Sequence, residues 1–246
     1  MWYPFLKNTA AKKLAVLIDP DKLQGDALVS LVQQANTAKV DFLLVGGSLL
    51  LENILEKTIA TIKAHTALPV ILFPGNNYQL STQADALLML SLLSGRNAEY
   101  LIGQQVVAAP AIRAAKLETI STGYLLVDGG RVSTTSYITQ TMPIPHHKPD
   151  VAVATAMAGE MLGMQIIYLE AGSGAQWPVP EAMIRAVRKN ISVPLIVGGG
   201  IRSSEAAEAV CRAGADIVVV GNVLEQEPER LLEISLAVHA NYEAVV

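Results

Sequence analysis

Two apolar runs in the last quarter of the chain each stop abruptly in glycine. They are Pro194-Leu195-Ile196-Val197-Gly198-Gly199-Gly200-Ile201-Arg202-Ser203 and Ala215-Asp216-Ile217-Val218-Val219-Val220-Gly221-Asn222. Branched residues without polar alternation read as strands buried on both faces, hence as parallel strands. Glycine where such a strand gives way to a helix lets backbone N–H groups approach a ligand, and the helix N-terminus behind it favours an anion. Two such turns in succession, ending a chain of 246 residues, match the phosphate site that the loops after strands 7 and 8 form in a (β/α)8 barrel.

The rest of the chain supports this α/β class. Strand candidates recur at 14–19, 41–45, 69–73, 84–90, 119–127, 165–169, 194–197 and 216–220, with helical stretches between them. Such alternation implies a parallel sheet, and this number of units implies closure into a TIM barrel. Hydrophobic residues make up 51% and aromatics only 5%, so the core is built from Val, Ile, Leu and Ala. Residues 1–246 are expected to form a single TIM-barrel domain. One unit is defective: Pro74-Gly75-Asn76-Asn77-Tyr78-Gln79-Leu80-Ser81 is too short and broken for a full helix after the third strand. Residues 128–150, rich in Gly, Thr and Pro, form a long loop, either a functional lid or solvated decoration.

Charge and cysteine usage exclude several classes. The formal net charge of −4 disfavours nucleic acid and anionic membranes as partners. The lone Cys211 allows no internal disulfide and reads as a small buried residue on a helix. No apolar run reaches the roughly 20 residues of a membrane span, and a cytoplasmic protein without a stable membrane anchor is expected. The apolar start Met1-Trp2-Tyr3-Pro4-Phe5-Leu6 reads as a plug over the barrel floor. The apolar stretches 87–93 and 102–111, taken as helix faces, permit packing between subunits and equally packing on the barrel; a homo-oligomer is expected.

In a barrel, chemistry gathers at the C-terminal strand ends. The first strand ends in Asp19-Pro20-Asp21-Lys22, the second in Gly46-Gly47-Ser48, and the sixth in Tyr168-Leu169-Glu170-Ala171-Gly172-Ser173-Gly174. Asp19 and Asp21, with the Ser48 hydroxyl nearby, suit Mg²⁺, which takes one or two carboxylates and leaves its other positions to water and phosphate; helix capping by Asp is the competing reading. Glu170 at the mouth can act as general base or hold a substrate hydroxyl, or simply close the strand in a salt bridge. Tyr168 can give its hydroxyl to a ligand or form a core layer. Gly172-Ser173-Gly174 has the form of a backbone nest for anions. No dinucleotide fingerprint or P-loop is present.

The motifs Ile18-Asp19-Pro20-Asp21-Lys22, Val45-Gly46-Gly47-Ser48, Tyr168 through Gly174, Gly198-Gly199-Gly200-Ile201 and Val220-Gly221-Asn222 together resemble the geranylgeranylglyceryl phosphate synthases and their heptaprenylglyceryl phosphate relatives. Leu90 through Asn97 and Tyr100-Leu101-Ile102-Gly103 resemble the larger archaeal-and-bacterial group of that family. A smaller bacterial branch carries Lys two residues before the first-strand Asp, where this chain has Leu17.

The resemblance implies a prenyltransferase that joins sn-glycerol 1-phosphate to a polyprenyl diphosphate, geranylgeranyl diphosphate being the expected donor. An ether forms, diphosphate leaves, and the barrel lacks its third helix. Asp19 and Ser48 would correspond to the Mg²⁺ ligands. Tyr168, Leu169, Glu170, Ala171, Gly172, Ser173, Gly174, Gly199, Gly200, Gly221 and Asn222 would hold glycerol 1-phosphate, with Glu170 on its hydroxyls. The chemistry agrees: the leaving diphosphate needs its charge neutralised by Mg²⁺ and Lys22, and the allylic group needs a dry slot, which low aromatic content makes aliphatic. Two alternatives share the glycine turns. One is a barrel enzyme acting on another phosphate ester, such as a sugar-phosphate isomerase or synthase; the other is a non-catalytic phosphate-ligand binding protein.

Overall fold

A computed structural model describes residues 1–240 and Tyr242. Eight parallel strands close in sequential order into a barrel. They are β1 (Lys13–Ile18), β2 (Phe42–Val45), β3 (Val70–Leu72), β4 (Ala86–Leu92), β5 (Glu118–Leu126), β6 (Ile166–Glu170), β7 (Leu195–Gly198) and β8 (Ile217–Val220). The helices are α1 (Tyr3–Lys7), α2 (Gly25–Thr37), α3 (Leu55–His65), α4 (Gln104–Ala115), α5 (Thr134–Thr139), α6 (Pro149–Met161), α7 (Glu181–Arg188), α8 (Ser204–Ala213), α9 (Asn222–Gln226) and α10 (Arg230–Val238). A π-helical turn, Glu99–Gly103, leads into α4.

Alternation along each strand sorts the core into two layers. Ala15, Phe42, Leu44, Ile71, Leu88, Tyr168, Ile196 and Val219 point into the barrel. Leu14, Val16, Leu43, Val45, Leu169, Val197 and Val218 point out beneath the helices. The expected plug is present: Leu6 is fully buried, Phe5 meets Phe42 edge-on at 6.2 Å, and the Trp2 and Tyr3 N–H groups donate to Glu118 at the start of β5. Ser203 caps α8 through the Ala206 N–H, and Gly214 ends it at φ +117°.

No helix separates β3 from β4, as the broken segment implied. The fourth strand starts two residues later than expected and runs to Leu92. Ala84-Asp85 stand outside it because the Asp85 carboxylate caps the start of β3 at Val70 N and pairs with Lys63. Residues 87–92 therefore belong to a strand and not to a helix face. The stretch 102–111 is helical, with Ile102, Val106 and Val107 exposed. Within 128–150, α5 is a short helix with a Ser133–Ser136 capping box. Among the described residues no helix is long and apolar enough to cross a membrane.

One polar cluster staples the barrel floor. Asp216, 5% exposed, accepts from Leu195 N (2.9 Å) and Arg188 Nη1 (2.7 Å) and faces Lys12 Nζ at 3.6 Å. Asp216→Ala would strand the half-buried Arg188 cation and the Leu195 N–H. A stability loss of about 3 kcal/mol is expected in urea unfolding; a loss below about 1 kcal/mol would make the cluster incidental.

Candidate active site

The C-terminal strand ends surround a cavity that carries the charged and hydroxyl side chains of the mouth, hereafter the polar cavity. Its walls bring together residues distant in sequence: Asp19, Asp21 and Lys22 after β1, Ser48 after β2, Glu170 ending β6, Ser173 and Gly174, Gly199 and Gly200 after β7, and Gly221 and Asn222 after β8. A second, more apolar cavity runs between the barrel, the β3–β4 connection, α4 and α5, with Leu87, Leu88, Leu90, Ala108, Ile112 and Ile138 among its lining. The two share one wall: Gly47, Ser48, Phe73, Tyr124 and Thr135 line both.

Glu170 is the chemical centre of the polar cavity. Strand alternation points it inward with Tyr168, while Leu169 between them turns outward. Glu170 is 6% exposed, and its Oε1 accepts from Gly172 N at 2.8 Å. Burial pushes its carboxyl up to about 7, against the pull of that N–H. A carboxyl there is poised to exchange a proton at neutral pH. Beneath it the Tyr168 hydroxyl is buried beside the carboxyl and, like the Gly172 N–H, works to lower its pKa. A Cβ on Gly198 would meet Tyr168 Oη at 2.6 Å and Glu170 Oε2 at 2.8 Å, so only glycine leaves both groups in place. Burial, reinforced by the Glu170 charge, holds the Tyr124 and Tyr168 hydroxyls well above the usual tyrosine range.

The glycine turns open the other side. Gly174, Gly199 and Gly200 have φ of +71°, +83° and +73°, a region where side chains are strained. Asn222 Oδ1 accepts from Gly174 N (3.0 Å) and Ser173 Oγ (2.9 Å). An oxygen is thus seated on the donors of the Gly-Ser-Gly turn, in the manner expected of an anion.

Leu169, Ala171 and Gly172 are not brought to the cavity. The first two are buried in the outer layer, and Ala171 N is occupied by Gly198 O. Gly172 contributes only the N–H that holds Glu170. Tyr168 lies one layer below the cavity, within the barrel. The slot is also less aliphatic than composition implied: Phe73, Tyr100 and Tyr124 line it, and Phe73, Tyr124 and Tyr168 stack with centroids 5.4–5.9 Å apart. Tyr124 carries a legible signal, an inward parity on the fifth strand opposite Tyr168. Phe73 carries the same signal, continuing the inward parity of Ile71 at the end of the third strand candidate; Thr135 carries none, because its place depends on how a loop crosses the barrel mouth.

The donor set beside β1 fits a hard cation. Asp19 is half-buried, and burial raises its carboxyl against the pull of Lys22. Its carboxylate packs against Gly47, where a Cβ would approach to 3.3 Å. Asp21 Oδ2 accepts from Leu51 N at 2.7 Å, while its buried Oδ1 has no partner. The Ser48 hydroxyl hydrogen-bonds Thr135 at 2.8 Å. Among the described residues no group of three or more His, Cys, Asp or Glu could hold a metal alone. The oxygen donors Asp19, Asp21 and Ser48 are of the type that could hold a hard cation such as Mg²⁺, with water and phosphate oxygens in its other positions.

Comparison with known proteins adds three findings. The model of the PcrB family matches residues 7–239. A protein of Spirosoma linguale named geranylgeranylglyceryl phosphate synthase is 53% identical over 240 residues, covering 98% of this chain and 96% of its own length; the one from Pyrococcus furiosus is 44% identical over 211 residues, covering 85% and 83%. The crystal structure of (S)-3-O-geranylgeranylglyceryl phosphate synthase from Thermoplasma acidophilum in complex with sn-glycerol-1-phosphate superposes with a TM-score of 0.91 at 36% identity, covering 96% of this chain and 97% of that one.

Proposed function

The chain belongs to the PcrB family, and on that premise we propose that it transfers a polyprenyl group, geranylgeranyl in the first instance, from its diphosphate to sn-glycerol 1-phosphate. The observation that carries this is the shared wall: a glycine-lined cavity that holds the charged side chains of the mouth and a more apolar slot meet at Ser48, Phe73, Tyr124 and Thr135. An anionic acceptor and a hydrocarbon donor can meet only where two such cavities touch.

The roles follow from position. The turns at Ser173-Gly174, Gly199-Gly200 and Gly221-Asn222 take the acceptor phosphate, which anchors the terminal hydroxyl toward Glu170. The slot takes the prenyl chain and excludes water. The hydroxyl oxygen bonds to C1 of the prenyl group as the bond from C1 to the diphosphate oxygen breaks. The hydroxyl proton passes to the Glu170 carboxylate. Phe73 and Tyr124 present ring faces or edges where positive charge develops on the allylic group. Lys22 faces the departing diphosphate. Asp19 and Ser48, with Asp21 beside them, would hold Mg²⁺, which when bound neutralises diphosphate charge. The exposed Ile102, Val106 and Val107 offer a face for a second copy of the chain.

The test counts diphosphate released from geranylgeranyl diphosphate. Release is expected only when glycerol 1-phosphate and Mg²⁺ are both present; equal release without glycerol 1-phosphate would make the protein a hydrolase. The slot has its own test. Ala108 lines the slot and not the polar cavity, so Ala108→Phe should shorten it. The variant is expected to lose at least ~10-fold in kcat/KM with a twenty-carbon donor while a ten-carbon donor stays within about threefold. Equal losses on both would place Ala108 outside the chain's path.

A further inference from the structure

Glu225, on α9, takes no part in the transfer described above. Its Oε1 accepts from Lys22 Nζ at 3.3 Å and from Asn222 Nδ2 at 3.2 Å. Lys22 also forms an ion pair with Asp19 Oδ2, at the longer distance of 3.6 Å. Asn222 turns its Oδ1 to Gly174 N. That amide orientation is fixed by its partners, because a backbone N–H needs an acceptor and a carboxylate needs a donor. One carboxylate therefore ties the turn after β1 to the turn after β8, and through Asn222 to the turn after β6.

The Lys22 ammonium stands between two carboxylates that differ in use. Asp19 faces Gly47 across the cavity mouth; Glu225 lies on the phosphate side. Lysine is a compact charge on a flexible stem and follows the better acceptor. Here Glu225 has the shorter contact. Without that charge, Asp19 is the carboxylate that Lys22 already faces, and an ammonium closed onto it would occupy the oxygens that a divalent cation needs. We propose that Glu225 is a positioning residue that draws Lys22 off Asp19 and so keeps the Asp19 carboxylate open to the cation accompanying diphosphate. This rests on the transferase assignment and on Asp19 as its metal ligand. A mere strap between two surface loops would hold the same atoms together, but would leave cation affinity untouched.

The experiment measures Mn²⁺ binding, by water-proton relaxation, to the wild type, Glu225→Gln, Lys22→Met and the double variant. Glu225→Gln is expected to bind Mn²⁺ about threefold to fivefold more weakly, the scale of a partly exposed ion pair. Lys22→Met should bind at least as tightly as the wild type. The double variant should return to the Lys22→Met level, because no ammonium remains to close onto Asp19. Unchanged affinity in Glu225→Gln overturns the proposal. So does a loss that persists in the double variant, which would report only the missing negative charge. Asp19→Asn and a product assay run alongside: Mn²⁺ binding that survives Asp19→Asn removes both the metal assignment and the tether, whereas wild type that forms no ether overturns the transferase assignment itself.

Discussion

Glu170→Gln is expected to lower kcat by ~10²- to 10⁴-fold, the range of a lost general base, while making the protein more stable at pH 8. The two effects have one cause. Burial holds the Glu170 carboxyl at about 7 against an ordinary value of 4.5, so between those values the folded chain binds more protons than the unfolded chain. Stability therefore falls as pH rises from 4.5 through about 7, and above that the buried charge costs on the order of 3 kcal/mol. Glutamine keeps the acceptor for Gly172 N and carries no charge. Thermal midpoints should be close for wild type and variant near pH 4 and diverge in favour of the variant toward pH 8. The alkaline-going rise in kcat/KM, with its midpoint near 7 in the wild type, should vanish with the carboxyl. A variant with wild-type turnover would remove Glu170 from proton transfer; equal thermal midpoints at pH 8 would mean that the carboxylate is solvated as it stands.

Gly199→Ala is expected to weaken glycerol 1-phosphate binding by ~10- to 100-fold and to depress turnover with it, because the added Cβ displaces groups of the site and does not merely strain the backbone. Gly199 has φ +83°, and an added Cβ would strike Glu170 Oε1 and lie 2.8 Å from Ala171 N and Gly172 N. The methyl group pushes on the base and on the turn that carries the phosphate donors at once. Gly163→Ala supplies the control. Gly163 has φ +90° with nothing within 4 Å of a Cβ, and it follows α6, outside both cavities. That variant should lose about 1 kcal/mol in urea unfolding with no change in ligand affinity. Calorimetry with glycerol 1-phosphate separates the two. Equal affinity in Gly199→Ala and wild type would take the β7 turn out of the acceptor site.

What could be read in the chain before its fold was known depends on how local the determinant is. Runs such as Leu195–Val197 and Ile217–Val220 are buried on both faces, so composition alone marks them, and the sequential strand order of the closed barrel agrees with eight of them in succession. Strand ends are marked by glycine, which is why Asp19, Ser48, Glu170, Gly199 and Asn222 could be placed at one mouth. The fourth strand was misplaced at its start because Asp85 caps β3 through space, a contact that no pattern encodes. Leu169 and Ala171 were included with the ligand-facing residues as members of a contiguous motif, yet strand parity turns them away. The slot was beyond reach for a different reason. Its walls come from β4, α4, α5 and the irregular β3–β4 connection, and only their crossing brings Phe73 and Tyr124 between donor and acceptor. The Lys22–Glu225 pair, 203 residues apart, likewise exists only once β1 and β8 close the barrel.

The central claim is a transfer between two adjoining cavities, and the direct measurement is the product itself. Purified protein is incubated with Mg²⁺, sn-glycerol 1-phosphate and a ladder of prenyl diphosphates from ten to thirty-five carbons, and the products are read by mass spectrometry. The account predicts a prenyl ether of glycerol phosphate, with the twenty-carbon donor used efficiently. Folded protein that binds glycerol 1-phosphate but forms no ether with any donor would contradict it.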